Sequence, residues 1–249
     1  MLDLPVTCVI PARLASTRLP IKLLRPVLGV PLVIHTLDRA LEAACFAHVI
    51  CLTDDSRLAE IVRAAGHEAM VGGHANNGTE RIARHLEDLP GDLFLNLQGD
   101  EPAFPAAGLR RLARALAQDP DGAHLLVHRI PAQEEELKDP NRVKAEIDGR
   151  GRVVDLWRHY PLAKGLSTHV QAGTYGYSRK WLRNYAAIPP SSDELALSHE
   201  MLRFPSLDGL RAHTFFGHSQ AVDVEADLAV AESLVAAIPQ ARRISALAT

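Results

Sequence analysis

Four cations crowd one stretch of 13 residues: Arg13, Arg18, Lys22 and Arg25 in PARLASTRLPIKLLR, with Ser16 and Thr17 among them. Guanidinium forks and an ammonium at this spacing suit a triphosphate, whose charge must be balanced as pyrophosphate departs. Loop amides near the next helix N-terminus would add donors. The alternative is a solvated basic loop. Far along the chain stand two aspartates, Asp100 in Gln98-Gly99-Asp100-Glu101-Pro102 and Asp223 in AVDVEADL. A carboxylate that follows a buried strand, beside a glycine allowing close backbone approach, suits Mg²⁺ and its hard oxygen ligands. A turn leading into a helix N-cap would use the same residue types. Asp100 and Asp223 are a candidate pair for one magnesium, bridging phosphate and an acceptor acid. No GxxxxGK[ST] occurs, so the Walker manner of holding nucleotides is excluded.

These residues need a scaffold that brings them together. Val6–Ile10 is a continuous apolar run ending at Pro11, which predicts a strand buried on both faces. Pro31–Ala44 has helical spacing, with proline acceptable in a first turn. His48–Thr53 reads as a strand, Asp55–Ala65 as a helix ended by Gly66, Glu68–Val71 as a short strand and Thr79–Leu86 as a helix. Asp92–Leu97 is a further buried strand, closed by QGDEP and followed by a helix over Leu109–Ala117. This alternation predicts an α/β fold with a parallel, doubly wound sheet, in which ligands bind beyond the carboxyl ends of the strands. The polar clusters after VTCVI, HVICLT and DLFLNL all fall there.

Later elements are less regular. Ala123–Ile130 is a predicted strand. Val143–Ile147 and Val153–Trp157 flank the turn Asp148–Gly151 as a hairpin. Gln171–Tyr177 reads as a strand, Trp181–Ala187 and Glu194–Phe204 as helices, Leu210–Phe216 as a strand, and VDVEADLAVAESLVAAI as a strand end running into a helix. The expectation is a single domain over residues 1–249, with about 131–192 as a candidate insertion that covers the site or makes a dimer contact.

Of the 249 residues 47% are apolar, enough for a full core. Lys+Arg 27 against Asp+Glu 30 leaves a net charge of -3, which argues against a nucleic-acid surface and leaves anionic ligands to local basic clusters. Cys8, Cys45 and Cys51 form no CxxC pair and read as buried small hydrophobes in a reducing compartment. The opening run is too short and lacks the basic lead of a signal peptide, and no apolar stretch reaches bilayer length. A soluble, cytoplasmic protein without membrane contact is expected.

The motifs PARLASTRLPIKLL, NGTER, LNLQGDEP, DPNRVKAEI, GTYGY and VDVEADL resemble, in the same order, those of the CMP-Kdo synthetases, the 3-deoxy-manno-octulosonate cytidylyltransferases. The resemblance runs through essentially the whole chain. It implies a Rossmann-like nucleotidyltransferase fold, GT-A-like, with a small dimerisation insertion, and a homodimer. It implies that Arg13, Ser16, Arg18 and Lys22 contact the CTP phosphates, and that Gly78, Thr79, Glu80 and Arg81 lie at the cytosine and ribose. Gln98 would approach the nucleotide sugar or the acceptor, and Asp100 and Asp223 would ligate magnesium. The implied reaction is in-line attack of an acceptor oxygen on the α-phosphorus, driven by positioning and charge neutralisation.

Departures from the family pattern concentrate where it binds its sugar acid. Ile21 stands in place of the glycine before the lysine, Leu23 in place of the proline after it, and Asn77 in place of the serine of SGTER. Further on, the R-x-x-x-P segment is shortened to Arg158-His159-Tyr160-Pro161, Gln171 replaces a histidine, Met201 replaces the glutamine of a Glu-Gln pair at Glu200, and Leu197 interrupts an acidic context. A methionine lacks the donor and acceptor capacity that a hydroxyl-binding site uses. The acceptor expectation is therefore either a 3-deoxy-2-keto sugar acid such as Kdo or a smaller acid such as phosphonoformate. Arg158, His159, Lys164, Gln171, Tyr175 and Glu200 are the candidates to hold it.

Weaker features have plainer readings. His124 and His128 are four apart, but on a strand this gives one face without metal geometry. Glu134, Glu135 and Glu136 read as a solvated face, and Trp157, Tyr160, Tyr175 and Tyr177 as core or dimer aromatics. His159 is a candidate general base. The rival functions are a glycosyltransferase-like protein binding a finished nucleotide sugar and a non-catalytic nucleotide-binding regulator. The cation loop favours a triphosphate, and Lys22, Asp100 and Asp223 together favour catalysis. That reading requires all three to face one pocket.

Overall fold

Leu4–Ala12 forms the central strand, β1, because its side chains are apolar on both faces. Cys8 and Ile10 enter the core on one side of the sheet and Val9 the core on the other, the period-2 alternation of a strand. In this computed structural model, which describes residues 4–16, 18–131, 134–158, 167–204, 209–217 and 219–239, the further strands are Pro26–Val27 (β2), Val30–Pro31 (β3), Phe46–Thr53 (β4), Glu68–Val71 (β5), Leu93–Asn96 (β6), Ala123–Pro131 (β7), Lys144–Ile147 (β8), Val153–Trp157 (β9), Ser167–Ser178 (β10) and Leu210–Phe215 (β11). The α-helices are Leu32–Glu42 (α1), Ser56–Ala64 (α2), Gly78–Arg84 (α3), Ala106–Gln118 (α4), Glu134–Lys138 (α5), Arg179–Ala187 (α6), Ser192–Leu197 (α7) and Glu225–Ala236 (α8).

The main sheet runs β11-β7-β10-β6-β1-β4-β5. Along this path only β10 runs against its neighbours, antiparallel to both β6 and β7. The sheet is therefore mostly parallel, as the strand–helix alternation predicts. Helices α1, α2, α4 and α8 contribute to one core layer, and α3 and α6 to the other. The chain leaves β1 for β4 and β5 on one side, then returns to β6 on the other. This reversal opens a crevice at the carboxyl ends of β1 and β6, the usual place for a ligand in such sheets.

Local chemistry starts and stops the elements. Asp55 accepts the amides of Arg57 and Leu58 at the start of α2, Asn77 accepts that of Glu80 at α3, and Ser178 and Ser191 cap α6 and α7 in the same way. The β8–β9 hairpin joins the sheet through β8, which pairs with the first half of β10. Two regions differ from the sequence expectation. The cation loop ends in a 3₁₀ turn, Lys22–Leu24, and a tiny β2–β3 hairpin turning at Leu28-Gly29, both too short to leave a periodic pattern. The helix expected over Glu194–Phe204 breaks at Ser198, which sits at φ 48°, and resumes as a 3₁₀ turn over Glu200–Arg203. The break lets Arg203 fold back onto Glu194, at 2.7 and 2.8 Å, in a buried ion pair.

Candidate active site

A cleft of about 620 Å³ opens over the carboxyl ends of β1 and β6. Asp100 and Asp223 line it, and Lys22, carried by the 3₁₀ turn after the cation loop, bridges the two from within the wall. The ammonium donates to Asp100 Oδ2 at 2.6 Å and to Asp223 Oδ1 at 3.1 Å, and Arg18 meets the same Asp223 oxygen at 2.8 Å. Burial opposes the charge on Lys22, but Asp100 and then Asp223 outweigh it and hold the ammonium above the ordinary lysine range. Residues separated by 78 and 201 positions thus meet at one nitrogen. Arg13 lines the cleft and has no ion pair or hydrogen bond among the described residues, so its guanidinium can turn to a ligand. Ser16 is half-buried in the loop and does not line the cleft. Arg25 turns away to pair with Glu225.

The NGTER segment serves mainly to close-pack this wall. Gly78 lines the cleft, and a Cβ there would sit 2.9 Å from Pro11 and 3.1 Å from Gln98, so only glycine fits without displacement. Thr79 is buried; its amide donates to Glu200 at 2.8 Å and its hydroxyl pairs with Tyr177. Glu80 is also buried, held by Asn76, Arg84 and Arg203. Arg81 reaches the cleft while pairing with Asp54 at 2.8 Å. Gln98 lines the cleft and donates to Asn96 at 3.2 Å. Glu101, beside Asp100, is pushed up to about 8 by burial and accepts from Ser219.

The opposite wall comes from β10, the segment after β9 and the break before Glu200. Gln171 and Tyr175 are four apart on β10, a span of roughly 13 Å in a regular strand. Yet Gln171 Nε2 donates to the Tyr175 hydroxyl at 2.5 Å. The strand shifts register between them, and Gly173 at φ 62° supplies the bend. Arg158 lines the cleft too, but its guanidinium already donates to the carbonyls of Leu197 (2.6 Å), Asn141 (2.9 Å), Pro140 (3.3 Å) and Ser198 (3.4 Å). Beside it the fully buried Lys144 gives three donors to the carbonyls of Asp139, Arg142 and Arg158, at 2.6 to 2.9 Å. Burial lowers both cations from their ordinary values. Glu200 is pushed up to about 7 by burial, against the Thr79 amide that favours its charge. His159, Tyr160, Lys164 and Thr17 lie outside the described residues.

Sequence reasoning missed three contributors. Lys144 sits in the quoted DPNRVKAEI motif, where a lysine inside a strand run was the available signal. Asp54 follows the second buried strand directly. His199 was hidden inside an expected helix. Of the two strand histidines, His124 pairs with His213 at 2.9 Å and His128 packs on Phe215. Among the described residues no group of three or more His, Cys, Asp or Glu side chains is placed to hold a metal ion, and no helix is long and apolar enough to cross a membrane.

A family model described as Cytidylyltransferase matches residues 7–203. The 3-deoxy-manno-octulosonate cytidylyltransferase of Chlorobium phaeobacteroides (strain BS1) is 40% identical over 207 residues, covering 80% of this chain and 83% of its own length. That of Escherichia coli is 34% identical over 213 residues, covering 83% and 85%. A solved structure of CMP:2-keto-3-deoxy-manno-octonic acid synthetase complexed with CTP superposes with TM-score 0.84 at 31% identity, over 93% of this chain and 98% of that one. The chain belongs to the cytidylyltransferase family: it is a CTP-dependent nucleotidyltransferase with a Rossmann-like fold, akin to the CMP-Kdo synthetases.

Proposed function

We propose that the chain transfers CMP from CTP to a 3-deoxy-2-keto sugar acid of the Kdo class, with Mg²⁺, and releases pyrophosphate. The observation that carries the reading is that Asp100 and Asp223 line one cleft and are joined there by the Lys22 ammonium. The donor set fits magnesium. Asp100 and Asp223 are hard-oxygen groups converging on one point and partly open to the cleft, and Mg²⁺ favours one or two carboxylates together with substrate phosphates. When bound, the ion supplies charge neutralisation on the phosphates.

The chain's own residues do the rest. Arg13, Arg18 and Lys22 hold the triphosphate and balance the charge that builds on pyrophosphate. An acceptor hydroxyl oxygen attacks the α-phosphorus in line; a new P–O bond forms as the bond to the bridging β-phosphate oxygen breaks, and the hydroxyl proton passes to water. Gln171, Tyr175 and Glu200 face the acceptor. Met201, whose place in the family pattern suggested a pared-down pocket, is buried in the core on the α3/α6 side of the sheet. It therefore takes no polar group away from the cleft, which supports the hydroxylated sugar acid over phosphonoformate. A homodimer in the cytoplasm, with residues 131–192 as the dimerising region, completes the reading.

The test is pyrophosphate release from CTP and Mg²⁺ across a panel of acids that includes Kdo and phosphonoformate. Turnover with Kdo is expected. Turnover with phosphonoformate alone would overturn the acceptor, and CTP binding without turnover on any acid would overturn the transfer.

A further inference from the structure

The Gln171–Tyr175 bond has a third member, His199, at the buried edge of the same cleft. His199 is almost fully buried, and both of its ring nitrogens are engaged: Nδ1 faces the Met201 amide at 3.2 Å, and Nε2 faces Gln171 Oε1 at 2.9 Å. A backbone N–H can only donate, so Nδ1 must be the unprotonated nitrogen and Nε2 must carry the hydrogen. Nε2–H then donates to Gln171 Oε1, which fixes the amide's orientation and aims Nε2 of Gln171 at the tyrosine. The amide donates to the Tyr175 oxygen at 2.5 Å. Every bond in the chain points one way.

Among the described residues, the bond from Gln171 is the only one the Tyr175 hydroxyl makes. With the amide donating into its oxygen, the hydroxyl's own proton is left to donate, and Tyr175 lines the cleft. We infer that His199 is a positioning residue which, through Gln171, locks the Tyr175 hydroxyl as a hydrogen-bond donor toward an acceptor oxygen of the acid substrate. A protonated His199 would set two N–H donors against each other at Met201. Burial, reinforced by the nearby Arg158 guanidinium, pushes the imidazole down to about 3, so the relay keeps its polarity at neutral pH.

The inference rests on the Kdo-class reading for its substrate, but its wiring can be tested without turnover. Long-range ¹⁵N–¹H spectra of the wild-type protein labelled at histidine should show His199 neutral and protonated at Nε2 between pH 5 and pH 8 (test conditions chosen to span about the ordinary histidine pKa). An Nδ1–H tautomer or an imidazolium in that range overturns the relay. Kinetically, His199→Leu and Tyr175→Phe should each raise KM for Kdo about tenfold, the loss of one buried hydrogen bond, with KM for CTP unchanged. The double variant should be no worse than either single one. His199→Gln, which can still donate to Gln171, should recover most of the loss. Additive single effects, or equal loss in both KM values, overturn it. A wild-type protein inert on Kdo would defeat the acceptor reading alone, and the tautomer would still decide the relay.

Discussion

The two walls of the cleft hold their charges in opposite ways. On the β1–β6 wall, cations and carboxylates pair with one another: Lys22 with Asp100 and Asp223, Arg18 with Asp223, Arg81 with Asp54. On the β10 wall, Lys144 and Arg158 are capped by backbone carbonyls, and the side chains nearest the ligand space form a neutral relay. Paired charges can exchange partners when a polyanion arrives, because the carboxylates of Asp54, Asp100 and Asp223 remain partly open. Carbonyl-capped cations cannot leave without orphaning buried acceptors, so they fix backbone instead. One wall is built for electrostatic exchange and the other for shape.

This contrast can be broken most severely at the paired wall. Asp100→Asn should lower turnover by about two to three orders of magnitude while leaving the fold intact, since one preorganised charge is lost from the site of transfer; steady-state pyrophosphate release measures it, and full activity would remove Asp100 from the machinery. On the capped wall the dominant effect should be on stability. Lys144→Met withdraws the donor from three carbonyls, of which, among the described residues, only that of Asp139 keeps another, the Arg142 amide, and should cost about 3 kcal/mol in urea unfolding. An unchanged midpoint would mean that these carbonyls find other donors.

A smaller effect separates the walls by pH. The Glu200 pKa is raised from its ordinary 4.5 to about 7, so the folded protein binds its proton more tightly than the unfolded chain. The associated stability is fully present below about pH 4.5 and is lost as pH rises through about 7. Comparing urea midpoints at the two ends of that window, Glu200→Gln should gain on the order of 2 kcal/mol relative to wild type at the alkaline end. Parallel pH profiles for the two proteins would contradict this assignment. The mildest test concerns Ile21, a β-branched residue held at φ 49° and 52% exposed. Ile21→Gly removes a left-handed strain of about 1 kcal/mol, partly offset by the freedom glycine gains when unfolded. A net gain of about 0.5 kcal/mol in stability is expected by thermal melting, and destabilisation would show that the isoleucine makes contacts worth more than its strain.

The paired wall was the more legible one in the sequence. Its residues follow directly on strands whose two-sided burial leaves an unbroken apolar run, as in β1 and β6, so each strand end marked a functional cluster. The other wall depends on long-range closure that no local pattern carries. Arg158 finds its four carbonyls in the segment before β8 and at the end of α7. Ser198 carries no cue for a left-handed break, and an apolar, helix-compatible stretch therefore read as one helix. The bend that joins Gln171 to Tyr175 was signalled only by Gly173, a residue equally at home in a plain GTYGY strand.

The three cysteines have a practical consequence. Cys8, Cys45 and Cys51 are all buried, and burial raises every one of their thiols, that of Cys51 to about 12. Thiolate is the form that reacts, so an alkylating reagent meets almost none while the sheet is closed. Cys8 on β1 lies opposite Val49, and Cys51 on β4 lies opposite Ile10, two positions along the same strand pair at the middle of the sheet. The rate at which they become labelled is therefore a clock for the breathing of β1 against β4, readable by mass spectrometry in the unmodified protein.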